Sequence, residues 1–313
     1  MTPFPFRAGC VDAGSNAIRL VMGEFRSPLQ WEAFHYERVP IRMGTGVFKD
    51  GRIDPQVMDD CVSAFGGFAE QARAFEVQSF RAVATSAVRE SRDGPLLCER
   101  IHRETGIELD VISGKEEAYL VHRAIRERLD LAGEEWVLVD LGGGSVELSL
   151  VDQAGLIQTE SYPWGSLRLL ETLSKSGNGK GDARRGLVGV IDGLKMPTAM
   201  PRSKSAGIIA TGGNIDVLAE FAAAPRDNGG VRRLQSDALD AAIELLARFT
   251  PAERVQQFVM GEDRADVIVP AALVYQRLAK LAVASEILVP GVGVKDGVIL
   301  GLLDDHRSGR TPA

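Results

Sequence analysis

The stretch V137-L-V-D-L-G-G-G-S-V-E-L148 decides the reading of this chain. Three apolar residues, Val137, Leu138 and Val139, run into Asp140. Three glycines (Gly142, Gly143, Gly144) and Ser145 follow, and then an apolar run that carries Glu147. This is the pattern of strand, tight turn and strand. A carboxylate at the mouth of a buried strand, followed by residues with no side chain, asks for a ligand. Glycine lets a backbone take positive φ or approach a ligand closely, and successive turn N–H groups can converge on one anion. Phosphate is the natural occupant. An Asp beside it makes sense when it holds Mg2+, which binds through one or two carboxylates plus phosphate oxygens.

The same device occurs earlier in the chain. Asp12-Ala-Gly14-Ser15-Asn16 also lies between two apolar strands, within residues 8–25. A third glycine turn, "ATGGN" at 210–214, follows a strand and precedes a helical pattern, and it carries Gly212 and Gly213. The repeat of one plan 128 positions apart predicts two domains facing each other across a cleft. Other phosphate motifs are missing: "SGNGKGD" lacks the hydroxyl of a P-loop, "GVGVKDG" has the wrong spacing for a dinucleotide fingerprint, and no Gly-x-Ser-x-Gly elbow occurs.

Around these turns, periodicity predicts a helix over 57–75 with Val57, Cys61, Ala64, Phe65, Phe68, Ala72 and Phe75 on one face. It predicts a strand opening into a polar turn over 79–91, and a strand, turn and helix over 110–129. Residues 175–186 read as a solvated loop, 236–249 as a helix, and 250–258 as a helix opened by a capping box of Thr250 and Glu253. A long helix kinked by Pro270 is predicted over 263–282, and the last strand over 286–290. Strands and helices alternate throughout, so the class is α/β.

The bulk numbers set the bounds. The chain has 313 residues, 45% hydrophobic and 25% charged, with a net charge of −7, which is ordinary for a soluble globular protein. The acidic balance argues against nucleic-acid or membrane-surface binding. Cys10, Cys61 and Cys98 are scattered and odd in number, and the four histidines show no ligand spacing, so neither a disulfide framework nor a zinc site is expected. No signal peptide or membrane-length apolar run is visible. The expectation is a cytoplasmic protein.

With these residues in view, the chain resembles the exopolyphosphatase / guanosine pentaphosphate phosphohydrolase (Ppx/GppA) family of the actin / Hsp70 / sugar-kinase superfamily. The blocks that carry the resemblance are "DAGSNAIRLV" (12–21), "RMGTGVFKDGRI" (42–53), "ATSAVRES" (84–91), "VISGKEEAYL" (111–120), "VDLGGGSVEL" (139–148), "WGSLRL" (164–169), "ATGGNIDVLA" (210–219) and "RADVIVPAA" (264–272). "SGKEEA" followed about twenty residues later by "DLGGGSVEL" is the specific combination. The resemblance implies two ribonuclease-H-like domains, residues 1–125 with about 299–313, and residues 126–298, the last helix returning to the first domain. It implies a Mg2+-dependent hydrolase, or one using another divalent cation, that releases terminal phosphate from inorganic polyphosphate. The alternatives are guanosine pentaphosphate (pppGpp) as substrate, or a weakly active binding protein on the same fold. It further implies a homodimer, and a short form that is less processive on long chains.

The site residues carried over are these. Glu117 matches the base that activates water; Asp140 and Glu147, with Asp12, match the metal carboxylates. Gly14, Ser15, Asn16, Gly142, Gly143, Gly144 and Ser145 match the phosphate turns, Gly212 and Gly213 a third phosphate or nucleoside loop, and Arg89 a phosphate contact. A glutamate at Glu117 is also what a helix dipole favours in a first turn, so its catalytic role rests on the family position. Lys115, Arg168 and Lys295 are further candidates to line an anion path. The chain departs from the family at Ala17, where a hydroxyl is common, at "TGGNI", and at Pro290 with Val294-Lys-Asp-Gly297.

Overall fold

The structure, a computed structural model, describes residues 4–175, 189, 191 and 207–310. The solvated loop predicted over 175–186 lies outside the described residues except for its first position. The chain divides into two compact units, one of Met1–Leu120 with Val294–Ala313 and one of Val121–Gly293.

The first unit is built on a five-stranded sheet of order β3-β2-β1-β4-β5. Strands β1 (Phe6–Ala13), β2 (Ile18–Ser27) and β3 (Gln30–Val39) form an antiparallel meander. Strands β4 (Ser79–Ala84) and β5 (Leu109–Val111) then run parallel to β1. Alternation along β1 and β2 sends Val11, Ala13, Ile18, Leu20 and Met22 into one core, as a two-residue period requires. Helices α1 (Gly44–Asp50), α2 (Pro55–Ala74), α3 (Ser86–Glu90) and α4 (Gly94–Thr105) belong to the same unit. Asp54 caps α2 by accepting from the Gln56 N–H at 2.9 Å, with Pro55 in its first turn. Its buried stripe is Met58, Cys61, Val62, Phe65, Phe68 and Ala69. The predicted face is therefore widened: Val57, Ala64 and Ala72 pack against the same core half-buried, Met58 and Val62 join it, and only Phe75, just past the helix, is exposed. Residues 86–90, predicted as a polar turn, form the short helix α3.

The second unit repeats the plan with a six-stranded sheet of order β10-β11-β9-β6-β7-β8. Strands β6 (Trp136–Leu141), β7 (Val146–Val151) and β8 (Leu156–Tyr162) are the antiparallel meander. Strands β9 (Ile208–Thr211) and β11 (Glu286–Val289) are the parallel additions, and β10 (Arg232–Gln235) is an antiparallel edge. Helix α5 (Gly114–Arg126) spans the junction in sequence between the units. In the second unit, α6 (Ser166–Lys175), α7 (Gly213–Phe221), α8 (Ser236–Ala247), α9 (Pro251–Phe258), α10 (Glu262–Ala265) and α11 (Ile268–Leu281) follow. The capping box of Thr250 and Glu253 is present. The kinked helix expected over 263–282 is instead two helices, α10 and α11. Pro270 is the third residue of α11, where an N–H has no intrahelical acceptor to lose, so no kink is needed.

Helix α12 (Val294–Ser308) returns to the first unit. It crosses α5 at backbone contact: a Cβ on Gly297 would fall 2.1 Å from the Leu120 carbonyl oxygen. Among the described residues no helix is long and apolar enough to cross a membrane.

Candidate active site

In each unit the strands of the parallel part end on the same side of the sheet as the first turn. The carboxyl ends of parallel strands, beside the point where strand direction reverses, are where open α/β sheets bind ligands. The predicted residues gather at those ends.

In the first unit, β1 and β2 pair Asp12 with Arg19 and Ala13 with Ile18, and the Gly14 N–H closes the turn on the Ala17 carbonyl at 3.2 Å. Asp12 is buried, and Arg19 Nη1 donates to its Oδ2 at 3.4 Å. Burial raises the Asp12 carboxyl above its usual range, against the pull of Arg19 and Lys295, and Asp296 adds to the rise. Lys295, expected as an anion-path residue, donates to Asp296 at 2.7 Å. Ser15 Oγ hydrogen-bonds Ser86 Oγ at 3.0 Å, both buried. This joins the β1 turn to the start of α3, since the ends of β1 and β4 are neighbours at Ala13 and Ala84. Asn16 is half-buried in the turn, and Ala17 lies in the core.

Glu117 is also in this unit. Ser113 Oγ accepts from the Glu116 N–H at 3.1 Å and its carbonyl from the Glu117 N–H at 2.9 Å, which caps α5. Arg81 adds a bond to Glu116 at 2.9 Å. Glu117 is buried, and its Oε2 lies 3.6 Å from Arg89 Nη1. Arg89 also donates to the Ile112 carbonyl at 2.7 Å. Arg89, expected on a phosphate, thus spans the end of β5 and the start of α5 and pairs with Glu117. Lys115 is exposed.

In the second unit the ladder sets Asp140 directly opposite Glu147. Both are buried, at 8% and 1% exposure, and a carboxylate oxygen of each lies within 4.8 Å of the other. Thr211 Oγ1 donates to Asp140 Oδ1 at 2.8 Å, and Ser161 Oγ to Glu147 Oε1 at 2.8 Å. Two like charges directly opposite on a buried sheet face are unfavourable. The pair therefore fits a divalent cation, whose charge cancels both.

Neither Gly14 nor Gly142 sits at positive φ. A Cβ on Gly142 would meet only the Ser145 carbonyl, at an ordinary 3.5 Å. The chain's own conformation therefore does not require glycine at position 142. Gly212 differs. At φ +106° and with the Leu141 carbonyl 2.6 Å from a would-be Cβ, it must be glycine for the backbone's sake. It opens α7, whose first residue is Gly213.

The sequence reading missed the residues that hold these turns. Tyr275 Oη donates to the Thr211 carbonyl at 2.8 Å. Burial first, then Asp140 and Asp216, raises its phenol well above the usual value, so it stays a donor. Asn214 Nδ2 donates to Ser166 Oγ at 3.1 Å, and Arg264 Nη1 to Asn214 Oδ1 at 3.3 Å. Tyr275 sits in an apolar helix and gives no local signal; Thr211 was visible as the hydroxyl at the end of β9.

The fold and these turns define the class: an α/β protein of two meander-plus-parallel units, each joining its first two strands by a glycine-containing turn, with a buried carboxylate pair in the second. Comparison with known proteins narrows it. The Ppx/GppA phosphatase family profile matches residues 28–306, and the chain belongs to that family. It is 28% identical to exopolyphosphatase 1 of Mycobacterium leprae, over 97% of this chain and 91% of that protein. It is equally 28% identical to exopolyphosphatase 2 of Mycobacterium tuberculosis, over 95% and 98%. The crystal structure of an exopolyphosphatase from Cytophaga hutchinsonii matches with a TM-score of 0.86 at 25% identity, covering 95% of this chain and 98% of that one. The Aquifex aeolicus Ppx/GppA family member matches in fold with a TM-score of 0.76 at 21% identity. The fold is thus the actin-like two-domain architecture of the family.

Proposed function

We propose that this chain is a divalent-metal-dependent exopolyphosphatase, using Mg2+, that removes terminal phosphate from inorganic polyphosphate. The observation that carries the reading is the buried Asp140–Glu147 pair at the foot of a glycine turn. The exopolyphosphatases named above, matched over nearly their whole lengths, support the substrate class.

Asp140 and Glu147 would hold the cation, which when bound neutralises charge on the phosphoryl oxygens. The turns Gly14–Asn16 and Gly142–Ser145 would take non-bridging oxygens through backbone N–H groups. Gly212 and Gly213 would supply a third such loop. Glu117 accepts a proton from the attacking water, whose oxygen bonds to the terminal phosphorus as the bridging P–O bond breaks. Arg89 fixes the Glu117 carboxylate. Asp12 already has a cation at 3.4 Å in Arg19, so its contribution to the metal is the weakest of the three carboxylates.

The test is orthophosphate release from tripolyphosphate, long-chain polyphosphate and guanosine pentaphosphate in parallel, with Mg2+ and with chelator. Chelator-sensitive release from polyphosphate is expected. Turnover of the nucleotide alone, or release that survives chelation, overturns the reading. Glu117→Gln should lower kcat by about 10²–10⁴-fold.

A further inference from the structure

The sequence pointed to glycines as the reason the Gly142–Ser145 turn can bind an anion. The structure shows a second stretch that dictates which way the turn's peptides face. The Gly142 carbonyl accepts from the Ser166 N–H at 3.0 Å and from Ser166 Oγ at 3.4 Å. The Gly143 carbonyl accepts from the N–H groups of Leu167 and Arg168 at 2.9 and 3.1 Å. The Gly144 carbonyl accepts from the Gly165 N–H at 3.2 Å and from Arg168 Nε at 2.7 Å. Three consecutive carbonyls are therefore all turned toward residues 165–168.

A trans peptide is planar, with its N–H directed opposite to its C=O. Fixing the carbonyls of Gly142, Gly143 and Gly144 on one side directs the N–H groups of Gly143, Gly144 and Ser145 to the other. Among the described residues, no backbone carbonyl accepts from any of those three N–H groups. The contact is close: a Cβ on Gly165 would lie 2.3 Å from Gly143 C and Gly144 N. The arrangement is tied onward, since Ser166 Oγ also accepts from Asn214 in the first turn of α7.

We propose that residues 165–168 are a mould that pre-orients the phosphate-binding amides, and that Arg168 is a positioning residue holding the Gly144 peptide rather than a charge that binds phosphate. This rests on the reading that the turn binds phosphate. Pre-orientation removes the cost of turning three peptides at the moment of binding, and it acts on bound substrate and transition state alike, so it belongs in KM.

The test compares Arg168→Lys with Arg168→Met, using sodium tripolyphosphate as the probe. Lysine keeps the charge but has no planar Nε–H to place on the Gly144 carbonyl. A positioning role predicts that both variants weaken tripolyphosphate binding and raise KM by the same factor, about tenfold for one strong hydrogen bond, with kcat close to wild type. In 15N-glycine-labelled protein, tripolyphosphate should shift the Gly143 and Gly144 amides of wild type and shift them less in both variants. Should either variant melt early, Ser166→Ala, which keeps every backbone bond, should give a smaller loss of the same kind. Wild-type binding by Arg168→Lys with loss only in Arg168→Met overturns the proposal, because charge alone would then be what matters. If wild type binds tripolyphosphate without hydrolysing it and both variants bind more weakly, the mould stands and the hydrolase reading falls. If hydrolysis is intact and KM is unmoved in both variants, the mould falls and the hydrolase reading stands.

Discussion

The β1–β2 and β6–β7 hairpins are the same device with opposite electrostatics. In each, an aspartate is the next-to-last residue of the first strand and faces the second residue of the next strand. Asp12 faces Arg19, whereas Asp140 faces Glu147. The first turn sets an arginine 3.4 Å from its carboxylate. The second places two buried carboxylates within 4.8 Å of each other, an arrangement that could hold a cation. One register position thus separates an aspartate facing an arginine from an aspartate facing a second carboxylate.

The largest test of this contrast is activity. Asp140→Asn and Glu147→Gln should each lower kcat/KM by about 10³-fold, the scale of lost electrostatic stabilisation at a reacting phosphoryl group. Asp12→Asn should cost about tenfold at most. Equal losses in steady-state assays of the three variants would erase the contrast.

Stability should separate the hairpins next. Arg19→Gln strands the buried Asp12 carboxylate and should destabilise by about 2 kcal/mol in urea unfolding. Glu147→Gln removes a like-charge neighbour of Asp140 and should cost the chelator-treated protein less stability than Arg19→Gln does. Added Mg2+ should raise the melting temperature of wild type but not of this variant. A Glu147→Gln protein less stable in chelator than Arg19→Gln contradicts the charge argument.

The smallest effect is in pH. Burial, the largest influence, raises the Asp12 carboxyl in the folded protein. A raised carboxyl contributes stability that is full below its unfolded pKa and is lost as pH rises through the folded one. Asp12→Asn lacks that loss, so its melting temperature relative to wild type should climb from acidic to neutral pH. A difference that falls over that range means that Arg19 outweighs burial.

Much of this was legible in the chain. "DAGSN" and "DLGGGS" announced both hairpins, because a strand pattern broken by glycine leaves few alternatives. The capping box at Thr250 read directly, since its bonds span three residues. What failed or was missed depended on packing or was non-local. The α2 face gained Met58 and Val62 because packing in the core, rather than the pattern alone, sets the width of the buried stripe. The expected kink at Pro270 vanished because the helix begins two residues before it. The pairing of Arg89 with Glu117 was not legible, because the end of β5 and the start of α5 come beside Arg89 only in the fold, a neighbourhood that no local pattern contains.

The sequence by itself determined the α/β class, the repeated turn, and the carboxylates and glycines that make chemistry possible there. These are local patterns, written in neighbouring residues. Only the tertiary structure decided the partners: Arg19 against Asp12, Glu147 against Asp140, Thr211 and Tyr275 behind Asp140, and residues 165–168 behind the glycine turn. Cross-strand register and strand order set those pairings, and both depend on how distant segments bury their apolar faces together.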